Sequence, residues 1–168
     1  RRSYETTLGY IKKGVDEGGK VLIGGKGDDS TGFYIEPTII DNVEPGATIE
    51  QEEIFAPVLA VIKARDFDHA LEIANDSAFA LTGGIFSRSP AHIEKAREEF
   101  RVGNLYINRG VTGAIVERQP FGGLKLSGIG SKAGGPDYLL QFLEPRTVSE
   151  NTLRHGFVPP ERLKITGK

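Results

Sequence analysis

The sequence contains no cysteine, no methionine and no tryptophan. Without cysteine the chain forms no disulfide and supplies no thiolate, which excludes nucleophilic and redox chemistry at sulfur within it. Its three histidines, His69, His92 and His155, are far apart in sequence and lack the spacing of zinc ligands. We therefore expect neither a metal site nor a catalytic nucleophile in these 168 residues.

An excess of charge of one sign and long apolar runs are also missing. The formal net charge is −2, which gives no reason to expect binding to nucleic acid or to an anionic membrane. No stretch has the length and apolarity of a transmembrane helix or of a secretory signal, so we expect no membrane contact in this segment and a cytoplasmic location. The content of 38% hydrophobic and 26% charged residues is typical of a globular chain of about one domain.

Glycine is abundant in the sequence, and the segment 109–130 is especially rich in it. This segment follows a strand-like run at 104–108. A long loop in a compact domain is usually either functional or disordered. Phe121 and Leu124 argue against disorder, because a solvated linker has no use for large apolar side chains. Composition alone leaves a surface loop without any ligand as the alternative.

Helical and strand patterns alternate along the rest of the chain. Helices are predicted at 4–15, 67–76, 90–100 and 136–142. Strands are predicted at 20–23, 33–40, 58–64, 81–86, 105–108 and 144–149. Asp66 and Ser89 are the predicted N-caps of the second and third helices. Pro37 lacks an amide donor and predicts an edge or a break in the second strand.

The order of elements between 58 and 108 is strand, helix, strand, helix, strand. This order predicts an α/β fold with a mostly parallel sheet, right-handed crossovers and flanking helices. Ligands of open α/β sheets bind beyond the carboxyl ends of the strands. Because 109–130 leaves such an end, its position favours a functional loop over an unliganded one.

Two short motifs in this loop resemble a known family. Residues 120–130 read Pro-Phe-Gly-Gly-Leu-Lys-Leu-Ser-Gly-Ile-Gly, which is similar to the signature near the C-terminus of aldehyde dehydrogenases. Residues 112–114, Thr-Gly-Ala, resemble the aldehyde-anchor loop of the 1-pyrroline-5-carboxylate (glutamate semialdehyde) dehydrogenase branch. The resemblance extends from about Tyr4 to Phe157 and so covers nearly the whole chain.

The segment 51–57, Gln-Glu-Glu-Ile-Phe-Ala-Pro, resembles the Glu-Ile-Phe-Gly-Pro motif of the same family, with Ala56 in place of glycine. In that family the glutamate accepts hydrogen bonds from the nicotinamide ribose and the phenylalanine packs beside the nicotinamide. The resemblance therefore assigns cofactor binding to Glu53 and Phe55. An ionised carboxylate has two acceptor oxygens for two ribose hydroxyls, and Glu52 remains the alternative ligand.

The resemblance assigns the substrate to Gly113, Ala114 and Phe121. In the resembled branch, backbone amides of the anchor loop bind the substrate carboxylate, and an aromatic ring packs on the aliphatic chain. Consecutive amides in a glycine-containing turn bind an anion without any arginine. Arg109 and Arg118 remain alternative partners for the carboxylate.

As a whole, the resemblance implies the C-terminal portion of an aldehyde dehydrogenase catalytic domain. Residues 1–149 would form this portion, with the anchor loop at 109–130 and an oligomerisation-type strand at 144–149, and residues 150–168 would be a polar tail. The parent would use NAD, with NADP also possible, to oxidise glutamate semialdehyde to glutamate in proline catabolism. It would do so alone or within a bifunctional proline-utilisation protein.

The missing cysteine fits this interpretation, because aldehyde dehydrogenases attack the aldehyde with a cysteine thiolate. We expect the segment to begin after that nucleophile, to need the rest of its own enzyme, to form a homo-oligomer and to be inactive alone. Two alternatives stay open. One is part of another aldehyde dehydrogenase with a different small semialdehyde, against which the Thr-Gly-Ala turn argues. The other is a non-catalytic interaction module that reuses the fold.

Overall fold

The computed structural model describes residues 1–151. Residues 152–168, which make up most of the predicted polar tail, lie outside this description. In chain order the elements are α1 Arg2–Asp16, β1 Lys20–Ile23, β2 Gly27–Asp28, β3 Tyr34–Ile35, β4 Thr38–Asp41, α2 Thr48–Gln51, β5 Val58–Ala60, α3 Phe67–Asn75, β6 Phe79–Ala80, β7 Thr82–Ile85, α4 Pro90–Glu99, β8 Asn104–Ile107, β9 Leu124–Lys125 and a 3₁₀ helix Tyr138–Phe142.

The α/β fold is confirmed, but the sheets are mixed where we expected mostly parallel pairing. Strand β4 lies between β1, its antiparallel neighbour, and β5, its parallel neighbour. Strands β7 and β8 pair in parallel, as a helix crossover such as α4 requires. The pairs β2–β3 and β6–β9 are antiparallel. The connection between β1 and β4 contains the β2–β3 hairpin and no helix, whereas the parallel pair β4–β5 is connected through α2.

The predicted interruption at Pro37 is confirmed. The run 33–40 is two strands, because β3 ends before Pro37 and pairs with β2, whereas β4 starts after it and pairs with β1 and β5. Pro37 has no amide hydrogen to give to a ladder. The chain therefore changes its pairing partner at the one residue that cannot donate.

The main apolar core lies between α1, α2 and the three-stranded sheet. Its buried members are Ile11, Ile40, Val43 and Ile49. Gly14 on α1 allows a close approach, since a Cβ there would lie 2.6 Å from the Cδ1 atom of Ile49. The core thereby holds α2 and the loop that follows it against α1.

Helices α3 and α4 begin at the predicted caps. The Asp66 carboxylate accepts a hydrogen bond from the amide of His69 at 2.8 Å, and the Ser89 hydroxyl accepts one from the amide of His92 at 3.4 Å. The rings of Phe67 and His92 stack with their centres 4.2 Å apart, which joins the two helices at their first turns.

The chain divides into two units. A compact unit spans Arg1–Tyr138, and the residues that follow belong to a second unit. Residues 143–151 contain no helix or strand, so the strand predicted at 144–149 has no pairing partner among the described residues. Because the resemblance implies a pairing partner in another subunit or an oligomerisation arm, the strand stays a prediction.

The described residues contain neither a membrane span nor a metal cluster. None of the helices within 1–151 combines the length and the apolarity needed to cross a bilayer. Over the same range, no group of three or more His, Asp or Glu side chains converges on a point that could hold a metal ion.

Candidate functional site

The predicted cofactor residues lie on an exposed loop between α2 and β5. Glu52 and Glu53 are adjacent there but differ in their surroundings. The Tyr10 hydroxyl of α1 donates to the Glu52 carboxylate at 2.7 Å, and this hydrogen bond raises the pKa of Tyr10 above its usual value. Within residues 1–151 the Glu53 carboxylate has no hydrogen-bond or ion-pair partner. Of the two candidate ribose ligands, Glu53 is therefore the one whose acceptor oxygens are free.

Phe55 has an unusual backbone conformation. Its φ is 56°, in the left-handed region, and the residue is 87% exposed. Left-handed backbone costs about 1–2 kcal/mol for a residue with a Cβ. Ala56 is not among the residues with positive φ, so the alanine that replaces the motif's glycine fits without strain. Phe55 thus combines a strained backbone with a ring that does not pack within the described residues.

A cleft of about 530 Å³ brings the two predicted loops to one place. Glu53 lines one side of it, and Ser127, from the 109–130 loop, lines another. The amide of Ala80 donates to the Ser127 hydroxyl at 3.0 Å, which attaches this loop to β6. Phe55 and the predicted substrate residues do not line this cleft.

The predicted anchor turn contains two free amide groups. Gly113 has a φ of 93°, and both Gly113 and Ala114 are exposed. Within the described residues, neither of their amides donates a hydrogen bond to the protein. The neighbouring amide of Ile115 is satisfied, because it donates to the Gln119 carbonyl at 2.9 Å. Two consecutive unpaired amides beside a left-handed glycine make this turn a candidate anion-binding nest.

The two rival arginines differ in their contacts. The guanidinium of Arg109 donates to the Thr112 carbonyl at 3.1 Å and to the side chain of Gln119 at 3.3 Å. Arg118 is exposed and makes no hydrogen bond or ion pair within residues 1–151. The first arginine is thus part of the turn, whereas the second is on the solvent side of the loop.

Phe121 is half-buried and held from both sides by Asn104, a residue that the sequence did not single out. The Asn104 side chain donates to the Pro120 carbonyl at 2.8 Å and accepts from the Gly122 amide at 3.1 Å. The backbone of Phe121 also pairs with that of Ala133 in both directions, at 3.0 and 2.7 Å. In the sequence, the only sign that Asn104 has such a role is its polar side chain at the start of an otherwise apolar strand.

Lys125 is a second residue that the motif did not explain. Its φ is 51°, and its ammonium donates to the carbonyls of Asn75 and Ser77 at 2.6 and 2.7 Å. A cation at the C-terminus of a helix is favourable because the unpaired carbonyls and the helix dipole are negative there. Lys125 thereby ties the end of the 109–130 loop to the end of α3.

Comparisons with known proteins give the relatives of the chain as a whole. Residues 1–148 match the family model described as aldehyde dehydrogenase family. The 1-pyrroline-5-carboxylate dehydrogenase of Geobacillus sp. (strain WCH70) is 59% identical over 148 residues, which are 88% of this chain and 28% of that protein. The chain thus spans less than a third of the length of this relative.

Solved structures of dehydrogenases are also similar to this chain. The 1-pyrroline-5-carboxylate dehydrogenase from Thermus with bound NAD has a TM-score of 0.81 and 52% identity, over 85% of this chain and 28% of that one. Proline utilization A (PutA) from Bdellovibrio bacteriovorus has a TM-score of 0.84 and 54% identity, over 95% of this chain and 16% of that one. A lactaldehyde dehydrogenase also has a TM-score of 0.81, but with 31% identity, over 88% of this chain and 30% of that one. The chain therefore belongs to the aldehyde dehydrogenase family.

Proposed function

We propose that this chain is the C-terminal portion of the catalytic domain of a dehydrogenase that oxidises glutamate semialdehyde, the open form of 1-pyrroline-5-carboxylate, to glutamate in proline catabolism. Over the aligned residues, the relatives named for this substrate are 59% and 52% identical to the chain, whereas the lactaldehyde dehydrogenase is 31% identical. This difference favours the first of our three hypotheses over a different small semialdehyde. Membership of an enzyme family disfavours the non-catalytic module.

One observation carries the choice of substrate. The free amides of Gly113 and Ala114 lie at an exposed turn with a left-handed glycine. Glutamate semialdehyde has a carboxylate at the end remote from its aldehyde, and such a nest would hold that carboxylate through charge-assisted hydrogen bonds. Phe121, held by Asn104, would pack on the aliphatic part of the substrate.

For the cofactor we propose NAD, which is bound in the Thermus relative. The carboxylate of Glu53 suits two ribose hydroxyls, since it offers two acceptor oxygens and no partner within residues 1–151 occupies them. Phe55 would pack beside the nicotinamide. When bound, NAD accepts the hydride that leaves the substrate. Residues of this chain would only orient the two molecules, which can still be a large share of catalysis.

The chain contains no cysteine, so in this proposal the thiol nucleophile comes from the rest of the same enzyme. We further propose a cytoplasmic homo-oligomer, either a separate dehydrogenase or part of a bifunctional protein like proline utilization A. The segment 144–149 would pair with another subunit.

The test alters the anchor turn in the full-length parent enzyme. Gly113→Ala places a Cβ on a left-handed residue, and Gly113→Pro also removes one amide donor. Loss of one charge-assisted hydrogen bond, about 1.5–3 kcal/mol, should lower kcat/KM for glutamate semialdehyde about 10- to 150-fold. Propionaldehyde has no carboxylate, so its kcat/KM should change little.

Gly110→Ala is the matched control in the same loop. Gly110 does not have a positive φ, and a Cβ there would meet only the Thr112 Cγ2 atom, at 3.9 Å. This variant should keep the activity of the parent on both aldehydes. Equal losses on both aldehydes in the Gly113 variants would mean general damage to the loop and would refute the anchor assignment.

A further inference from the structure

We propose that Arg109 is a positioning residue that holds the anchor turn in shape, and that it does not itself bind the substrate carboxylate. The inference rests on the proposed function, because it concerns the same turn. It assigns a role to a side chain that the sequence left as a possible direct ligand.

The guanidinium of Arg109 is already engaged inside the loop. One nitrogen, Nη2, donates to the Thr112 carbonyl at 3.1 Å, and the other, Nη1, donates to the Oε1 atom of Gln119 at 3.3 Å. The guanidinium carbon lies 5.6 Å from the centre of the Tyr106 ring, which is within the range of a cation–π interaction. Both terminal nitrogens therefore have acceptors within the protein.

Gln119 closes this network. Its amide nitrogen donates to the Tyr106 hydroxyl at 3.0 Å and to the Thr112 carbonyl at 3.3 Å. The backbones of Gln119 and Ile115 pair in both directions, at 2.8 and 2.9 Å. Since Tyr106 is buried in β8, the network connects the exposed turn to a rigid part of the fold.

The Thr112 carbonyl matters because it shares a peptide unit with the Gly113 amide. The peptide is planar and trans, so its C=O and N–H bonds point in opposite directions. Hydrogen bonds from Arg109 and Gln119 hold this carbonyl on the inner side of the turn. They thereby hold the Gly113 N–H pointing away from both side chains, where an anion can reach it. The positive charge beside the carbonyl also polarises the peptide unit and strengthens the amide as a donor.

Lysine should not replace Arg109. Its ammonium is a point charge on a flexible stem, whereas the planar guanidinium presents two nitrogens in a fixed fork. A direct ligand that acted mainly through its charge would keep much of its effect as lysine. A positioning residue that must reach both Thr112 and Gln119 loses its effect with either substitution.

The experiment uses the full-length parent with Arg109→Lys, Arg109→Gln and Gln119→Ala. Arg118→Gln is the control, since it removes the same charge from an exposed side chain of the same loop that has no partner within residues 1–151. The preference for glutamate semialdehyde over propionaldehyde, measured as the ratio of kcat/KM values, should fall at least about tenfold in both Arg109 variants and stay within about twofold in the control. The double variant Arg109→Gln/Gln119→Ala should lose little more than its worse single variant, because both side chains act through the same carbonyl.

A second measurement needs no substrate. In the ligand-free enzyme, hydrogen exchange at the paired amides of Ile115 and Gln119 should be faster in Arg109→Gln than in wild type, and unchanged in Arg118→Gln. Unchanged exchange in Arg109→Gln, together with multiplying losses in the double variant, would overturn the proposal and make Arg109 a direct ligand. If the wild-type enzyme shows no preference for glutamate semialdehyde, the proposed function fails, and the exchange measurement alone then decides the role of Arg109.

Discussion

At the scale of single residues, two neighbouring carboxylates in the loop between α2 and β5 differ in their hydrogen bonds. Glu52 accepts a hydrogen bond from Tyr10, and Glu53 has no partner among residues 1–151. Phe55, two positions on, has a left-handed φ of 56° and is 87% exposed. An aromatic residue in this conformation needs support from the surrounding structure. The loop thus exposes one unpartnered carboxylate and one aromatic ring, the two groups to which we assign the cofactor.

The first residue-scale prediction concerns Glu53 in the full-length parent. Glu53→Gln keeps the shape of the side chain but loses charge-assisted acceptance from the ribose hydroxyls, a loss of about 1.5–3 kcal/mol. Steady-state kinetics with varied NAD should show a raised KM for the cofactor, a slower hydride step, or both. Glu52→Gln should leave these constants near those of wild type, because Glu52 already accepts from Tyr10. The opposite result, with Glu52→Gln impaired and Glu53→Gln normal, would exchange the two assignments.

At the scale of elements, Glu17 joins the end of α1 to the start of α2. Its carboxylate accepts from the Thr48 hydroxyl at 2.7 Å and from the Thr48 amide at 2.8 Å. These two hydrogen bonds lower the pKa of Glu17 below its ordinary value of 4.5. Because α2 leads directly into the loop of Glu53, this contact helps to fix where the predicted cofactor loop begins.

A pH dependence follows from the lowered pKa of Glu17. A carboxyl group whose pKa is lower in the folded state adds stability that is complete above its unfolded pKa, here about 4.5. This stability is lost as the pH falls through the lower folded pKa. The parent should therefore exceed Glu17→Gln in free energy of unfolding at pH 7, and the difference should shrink below about pH 4.5. Urea unfolding of both proteins between pH 3 and 7 would measure it, and a difference that grows on acidification would contradict the assigned hydrogen bonds.

The 109–130 loop is likewise held in place by contacts with neighbouring elements of the fold. Asn104 of β8 holds the backbone on both sides of Phe121, and Lys125 ties its own part of the loop to the carbonyls of Asn75 and Ser77 at the C-terminal end of α3. Gly103, which precedes β8, lies so close to the loop that a Cβ there would come 2.0 Å from the Gly122 carbonyl oxygen. Strand β8 and α3 thus determine where the predicted substrate residues lie.

At the scale of the whole molecule, the chain contains the predicted binding residues but no cysteine nucleophile. Glu53 and Ser127 line one cleft, and the free amides of Gly113 and Ala114 lie on the same loop as Ser127. No cysteine is present to attack an aldehyde. Large apolar side chains such as Leu126 and Ile129 are exposed, 75% and 83% respectively. We expect the remaining part of the enzyme to cover such side chains and to supply the thiol.

The corresponding prediction is that the purified 168-residue chain has no aldehyde dehydrogenase activity. Covalent catalysis by this family needs a thiolate, and the chain has none to offer. Incubation with glutamate semialdehyde and NAD should produce no reduced cofactor by absorbance, whereas the full-length parent should do so under the same conditions. Turnover that persists after any full-length enzyme has been removed would disprove the prediction.

Much of the local structure was predictable from the sequence. The N-caps at Asp66 and Ser89 and the break at Pro37 are confirmed, because each depends on hydrogen bonds within about four residues or on the missing donor of proline itself. Membership of the aldehyde dehydrogenase family was likewise readable from short motifs, and the family match confirms it. The choice of Glu53, Phe55 and the anchor turn came from the same motifs and stays a prediction.

The tertiary structure alone decided how the strands pair and what supports the site. The pattern of apolar residues in a strand does not specify which strand pairs with it. The position of β4 between an antiparallel and a parallel partner could therefore not be predicted from the sequence. The hydrogen bonds from Gln119 to Tyr106 and from Asn104 to the backbone around Phe121 join residues more than ten positions apart. Such side chains meet only after β8 and the loop have folded, because no local propensity connects residues at that separation. The sequence by itself determined the motifs and the local elements, and tertiary packing decided which side chains hold those motifs in place.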